Sequence, residues 1–410
     1  MRDPLPELDY EAFARDLDAL KRELVDSLGP EDAEHLYRIA AVGRLCTALG
    51  YATAWVAPNP LSPALMALGS STRWAIVMHH VAHRGLDRIP SVPKAWRSEA
   101  FAHGWRRYAD WLDWISPDAW RFEHNRLHHY HTGELLDPDL VEHNVESLRR
   151  APVPRALKYA AVGFYALTWK LSYYAPSTFQ TLRRGEQLRA RHEPVTAESI
   201  RSTEPYHAVF DPRTEQGRAF WKECLLPYGL ARFVVAPAAF LPLGPWAATN
   251  VLINSVIAEL LTNLHTFLII VPNHAGDDVH RFDSTNSDRP EFYLRQILGS
   301  VNFETGGEAR DFLHGYLNYQ IEHHLWPDLP PFAYQRAAPA VKALCERHGV
   351  PYVQESVWTR ARKTIDVMVG KASMQRSRLR TRDERRQAAA GTPRAGRQDP
   401  SPNAHAEAAE

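Results

Sequence analysis

Four apolar stretches, residues 39–57, 61–78, 225–243 and 246–271, constrain this chain more than any other feature, because each approaches the ~20 residues that cross a bilayer as a helix. Pro58-Asn59-Pro60 joins the first two and Gly244-Pro245 the second two, so they read as two helical hairpins. Arg44, Arg73, Arg232 and Glu259 lie inside these stretches. Charged residues in a span face protein or snorkel to the interface. Core helices of a soluble protein are the alternative reading of each stretch. A further stretch at 159–175, with Arg155, Lys158 and Lys170 and several aromatics around it, reads as an interfacial helix over about 157–176. A crossing there would put the histidines near 124–129 and those near 323 in opposite compartments. The expected fold is therefore all-α and integral to the membrane: four transmembrane helices in two hairpins, capped on one side by a helical unit made of the long polar segments. The Arg-rich connection 81–154 places that side in the cytoplasm.

The mean hydropathy of −0.39 averages over this pattern and hides it. Charged residues balance, with 48 Lys+Arg against 48 Asp+Glu, so no global field points to nucleic acid. Cys46, Cys224 and Cys345 are far apart and form no CxxC pair, which argues against a disulfide framework and against a thiolate metal site. Residues 1–38 are polar, lack the apolar core of a signal peptide, and read as a cytoplasmic segment. The membrane domain spans 39–370, and residues 371–410, almost without apolar side chains, read as a disordered tail.

Twenty histidines carry the functional signal. His79 and His83 stand one turn apart on a helix leaving the second span, with His80 between them. His124 and His128 share a helical face and His129 adjoins them, so one helix offers three ring nitrogens to two neighbouring metal ions. His323 and His324 follow Gln320 by three and four residues; Gln is a poor ligand beside His and suits a bound water or a supporting role. His274, with Asn273 before it, lies at the exit of the fourth span, and His265 lies inside that span, where a hydrogen bond to a neighbouring helix is an equal alternative to metal binding. This many imidazoles without thiolates exceeds one zinc ion and suits two irons. The paired Glu-x-x-His motifs of carboxylate-rich di-iron bundles are not apparent.

With its boxes HHVAH, HNRLHH and QIEHH in this order, the sequence resembles the membrane fatty acid desaturase superfamily. The segment LNYQIEHHLWPDLPPFAYQRAAPAVKALCERHGVPY and the run VPNHAGDD look most like front-end acyl desaturases. The resemblance implies a non-haem di-iron centre held by His79, His83, His124, His128, His129, His274, His323 and His324. Gln320 occupies the variant position of the third box, and His265, His80 and Asn273 stand as supporting candidates. It implies an oxygen-dependent enzyme that introduces a double bond into a fatty acyl chain carried on CoA, acyl carrier protein or a membrane lipid, at the cytoplasmic side of a multi-pass membrane protein. The short segment before the first span lacks the His-Pro-Gly-Gly motif of a fused cytochrome b5, so a separate electron donor of ferredoxin, rubredoxin or cytochrome b5 type is expected. Hydroxylation, ketolation or alkene formation at the same centre is one alternative, and a non-catalytic metal-binding membrane protein is another. An acyl tunnel is expected along the spans and the aromatics around Trp105, Trp111, Trp114 and Trp120.

Overall fold

Asp9 opens the first helix by accepting a hydrogen bond from the Ala12 amide, and helix α1 (Tyr10–Asp26) buries Tyr10, Phe13 and Leu17 against later helices. The computed structural model describes residues 3–201 and 205–391, and these are mostly helical with a few very short strands. Helix α2 (Pro30–Ala54) starts well before the apolar window at residue 39. Its polar first turns are held by protein: Asp32 pairs with Arg336 at 2.9 Å and His35 with Glu308 at 3.1 Å. Helix α3 runs Leu61–Ser71, widens into a π-helical stretch at Thr72–Met78 and returns to α over His79–Ala82. Small residues let α2 and α3 approach closely, since a Cβ on Gly43 would lie 2.6 Å from Thr72 Cγ2 and one on Gly50 2.6 Å from Met66 Cγ.

Helix α4 (Pro117–Glu123) leads into a second π-helical stretch, His124–His128. Helix α5 is longer than the interfacial helix expected over 157–176: it runs Arg155–Trp169, passes through a π-helical turn at Lys170–Tyr174 and continues over Ala175–Ala190. Lys170 is fully buried at its centre, paired with Asp113 at 2.6 Å rather than snorkelling. Helices α6 (Glu215–Leu243) and α7 (Pro245–Asn273) are long and apolar enough to cross a membrane. The other two expected spans fall short of that measure because their helices carry more polar residues. Gly244, at φ +109°, makes the turn between α6 and α7, a conformation suited to glycine. Of the charges inside the expected spans, Arg232 and Glu259 are buried against protein, whereas Arg44 is exposed. Arg232 lies 3.3 Å from Glu259, which also accepts hydrogen bonds from Tyr228 at 2.6 Å and Trp114 at 2.8 Å, and Arg44 sits over the Trp96 ring.

Beyond α7 follow helices α8 (Arg289–Leu298), α9 (Gln320–Leu325), α10 (Pro331–His348) and α11 (Val357–Met368); α8 packs on α1 and α9, α10 on α1 and α2, and α11 on the exit of α7. Residues 371–391 depart from the disordered tail expected of them. Gln375–Ser377 pairs in parallel with His280–Phe282, Met374 and Leu379 are buried, and Arg380 reaches Asp3 at 2.8 Å. A charged segment is anchored here by ion pairs and a two-stranded ladder, which composition alone does not register. The rest of that expected tail, 392–410, lies outside the described residues.

Candidate metal centre

Three helix ends and one turn converge under the hairpins. His79 and His83 end α3 with ring centroids 5.0 Å apart, and the 3-10 turn Val271–Asn273 delivers His274 from α7. His323 and His324, adjacent on α9, diverge by about 100° around the helix axis and so address different partners. The second box is not α-helical. The His129 amide donates to the His124 carbonyl across five residues at 3.2 Å, a π-turn of the kind found at functional sites. In consequence His124 groups with His129 as well as with its neighbour four residues on. Besides the half-buried Asp139, which groups with His124 and His128, two sets made of rings alone result: His79, His83, His124, His129 and His323 in one, His128, His274 and His324 in the other, with ligand atoms in each set lying within 4.8 Å of one another. These rings are all buried, and no cysteine joins either set among the described residues.

The outer nitrogens of these rings fix their tautomers. His79 Nδ1 donates to the Ala75 carbonyl at 3.2 Å, and His323 Nδ1 to the Tyr334 hydroxyl at 3.2 Å, which itself donates to Trp326. Their Nε2 lone pairs therefore face each other at 3.0 Å, an arrangement that repels unless a cation lies against both. His128 Nδ1 donates to Asp137 at 2.9 Å, and His324 Nδ1 to Gln296 Oε1 at 2.9 Å, whose amide nitrogen donates to the His129 carbonyl. The Nε2 atoms of His83, His124, His129 and His324 are buried without any hydrogen-bond partner. Burial first, and repulsion between neighbouring imidazoles second, push His83, His124, His129, His323 and His324 far below the ordinary histidine pKa, so their rings are neutral and their lone pairs free. Burial also opposes charge on His128, but Asp137 outweighs it and shifts that ring upward. A buried cage of unshared lone pairs backed by carboxylate and amide acceptors fits metal cations. Asp137→Asn weakens the hold on His128 and is expected to lower metal affinity about 10- to 100-fold with the helices intact, as measured by metal content after dialysis against a chelator.

The other candidates separate clearly. Gln320 donates to His274 Nε2 at 2.9 Å and accepts from Asn273 at 3.3 Å, so both residues position His274. His265 stands apart from both ring sets and ties helices together, with Ser71 Oγ at 3.0 Å and the Leu313 carbonyl at 2.7 Å. His80 donates to the Ile76 carbonyl at 2.7 Å and joins neither set.

A family model for fatty acid desaturases matches residues 53–356, an interval that contains every ring of both sets. The chain belongs to the fatty acid desaturase family. It is 27% identical over 387 residues to an NADPH-dependent stearoyl-CoA 9-desaturase of Mycobacterium tuberculosis, covering 88% of this chain and 79% of that protein. It is 29% identical over 273 residues to an acyl-lipid (7-3)-desaturase of Rebecca salina, covering 65% of this chain and 56% of that protein. A bovine fatty acid desaturase 3 is 57% identical over 82 residues, 20% of this chain and 16% of its own length. The desaturase is thus an oxidoreductase of fatty acyl chains, and neither the oxygenating alternative nor the non-catalytic one is favoured.

Several residues of the desaturase escape sequence reasoning. Asp137, Gln296 and Tyr334 support the rings from distant segments, and only the nearness of Asp137 to the second box hinted at one of them. The apolar cavity also differs from expectation. A narrow apolar cavity of about 50 Å³ reaches His79, His124, His128 and His274 and is lined by Tyr165, Trp169, Tyr173 and Tyr174 of α5 with Val145 and Met368. None of the four tryptophans expected to line a tunnel does so: Trp111, Trp114 and Trp120 are buried in the core, and Trp105 is 74% exposed.

Proposed function

We propose that this desaturase inserts a double bond into a membrane-associated fatty acyl chain with two iron ions. His79, His83, His124, His129 and His323 would hold one and His128, His274 and His324 the other, with His274 exchanging its Gln320 hydrogen bond for the metal. The observation that carries this reading is the buried cage of rings with unpartnered Nε2 lone pairs, which meets an apolar cavity through His79, His124, His128 and His274. Iron is the fitting metal because the ligands are imidazoles and the family's reaction is a redox one. Bound there, it supplies the one-electron redox chemistry that activates dioxygen. Atoms balance as follows: two hydrogens leave adjacent methylenes, two electrons and two protons come from outside, and dioxygen becomes two waters. The chain itself contributes placement. Tyr165, Trp169, Val145 and Met368 exclude water and lay the acyl chain against the face formed by His79, His124, His128 and His274.

In this reading α2, α3, α6 and α7 form four spans, α5 lies at the interface, and the metal centre faces the cytoplasm, with residues 1–38 on that side and 39–370 forming the membrane domain. Support comes from apolar side chains that point outward with nothing covering them, among them Leu45 and Leu49 on α2, Val234 and Val235 on α6, and Ile253 and Leu260 on α7. Electrons come from a separate carrier, and the mycobacterial relative is named as NADPH-dependent.

Iron-loaded protein given stearoyl-CoA, dioxygen and reduced ferredoxin is expected to yield a product lighter by two hydrogens, read by mass spectrometry with deuterated substrate. An oxygenated, saturated product would contradict it. Val145→Trp fills part of the cavity and is expected to lower turnover of the longest acyl chains by about 10- to 100-fold relative to shorter ones, measured in a chain-length series.

A further inference from the structure

The histidine cluster separates two spaces that share no lining residue. The apolar cavity meets it from one side. From the other, a wide cleft of about 860 Å³ reaches His83, His129 and His324. Its walls are mixed, with Tyr130, Phe292 and Leu325 beside charged side chains that are predominantly cationic. Lys21, Arg84, Arg126 and Arg289 line it against only two carboxylates, Asp288 and Asp328. Both carboxylates are already paired, Asp288 with Arg385 and Asp328 with Lys21 at 3.0 Å and Arg88 at 2.7 Å. Arg84 and Arg126 are exposed and have no ionic partner among the described residues; Arg126 rests on the Phe122 ring at 4.9 Å.

Arg84 is unusual in its backbone as well. It holds φ +68°, where glycine or asparagine is the ordinary occupant, in a turn closed by the Gly85 amide donating to the His80 carbonyl at 2.9 Å. A long cationic side chain in that conformation, one residue after His83, is a costly way to make a turn, and strain of this kind collects at functional surfaces.

We propose that this cleft seats an acidic one-electron carrier protein, which delivers electrons to the metal centre through the rings of His83, His129 and His324. The proposal rests on the desaturase reading above and gives its separate donor a place. A small anionic acyl carrier fits less well: with its phosphates in the cleft, its acyl chain would have to thread the packed histidines to reach the cavity. Electrons need no such passage. Unpaired cations on the rim speed the encounter with an acidic partner and make it sensitive to salt.

The test uses the full-length, iron-loaded protein in detergent, an acidic [2Fe–2S] ferredoxin reduced by NADPH and its reductase, and stearoyl-CoA. Ferredoxin binding is also measured directly, without turnover. Arg126→Glu is expected to weaken that binding and raise the KM for ferredoxin, each roughly tenfold, with iron content and the KM for stearoyl-CoA as in wild type. Added salt should weaken binding in wild type and do so less in the variant. Arg84→Asn removes a cation on another element while keeping a residue that accepts the left-handed backbone, and is expected to act in the same direction; it carries the test if Arg126→Glu loses iron. Unchanged ferredoxin binding in both variants would overturn the proposal. So would a raised KM for stearoyl-CoA with ferredoxin binding unmoved, which would assign the cleft to the carrier's phosphates. A wild type that binds ferredoxin yet forms no unsaturated product, even with dithionite, would support the docking and overturn the desaturase reading.

Discussion

His324→Ala is expected to cut desaturation more than about 100-fold and to release close to half of the bound iron while the helices stay folded. Its ring stacks on His129 with centroids 4.4 Å apart and lies 5.0 Å from His128 and 4.7 Å from His274. It belongs to the set of three rings, so its loss leaves only two there. His83 belongs to the set of five, and His83→Ala leaves four. Iron analysis of the two variants side by side should show the larger loss for His324→Ala. Equal losses would argue against this division of ligands between the two ions.

Lys170→Met is expected to destabilise the protein by about 3–5 kcal/mol, lowering the Tm in detergent by roughly 10 °C. Lys170 and Asp113 are buried together at 2.6 Å, with the ammonium also over the Trp74 ring at 5.0 Å. Removing the lysine leaves a carboxylate in the interior with its counter-charge gone, and that orphaned charge is the main cost. The double variant Lys170→Met with Asp113→Leu should recover most of the loss, because two apolar groups can replace a buried ion pair at little net cost. A double variant as unstable as the single one would point to a packing defect in α5 instead. Since Trp169 and Tyr173 beside it line the apolar cavity, turnover is expected to fall along with stability in the single variant.

The histidine boxes were legible in the sequence because metal ligands must cluster, and clusters at helical spacing survive as local patterns. Their grouping into two ring sets was not. It depends on the π-turn at His124–His128, which re-aims His129, and no periodicity in HNRLHH announces that widening. His265 and His274 could not be ranked by spacing across Pro272; the structure separates them by giving His265 two hydrogen bonds to other elements and bringing His274 among the rings. Supporting groups such as Gln296 and Tyr334 come from segments far along the chain, so local pattern has no access to them. The same limit explains Lys170. Its interfacial setting was plausible from neighbours in sequence, yet its partner Asp113 lies 57 residues away. Residues 371–391 show the converse case, in which a composition poor in apolar side chains still docks because Arg380 meets Asp3 ahead of α1 and Arg385 meets Glu11 on α1 and Asp288 next to α8.

Metal analysis of the purified protein, reconstituted anaerobically with ferrous iron and then desalted, tests the central claim most directly. About two irons per chain are expected, and close to one in His324→Ala. One iron per chain or fewer, or a preference for a single zinc ion, would contradict it.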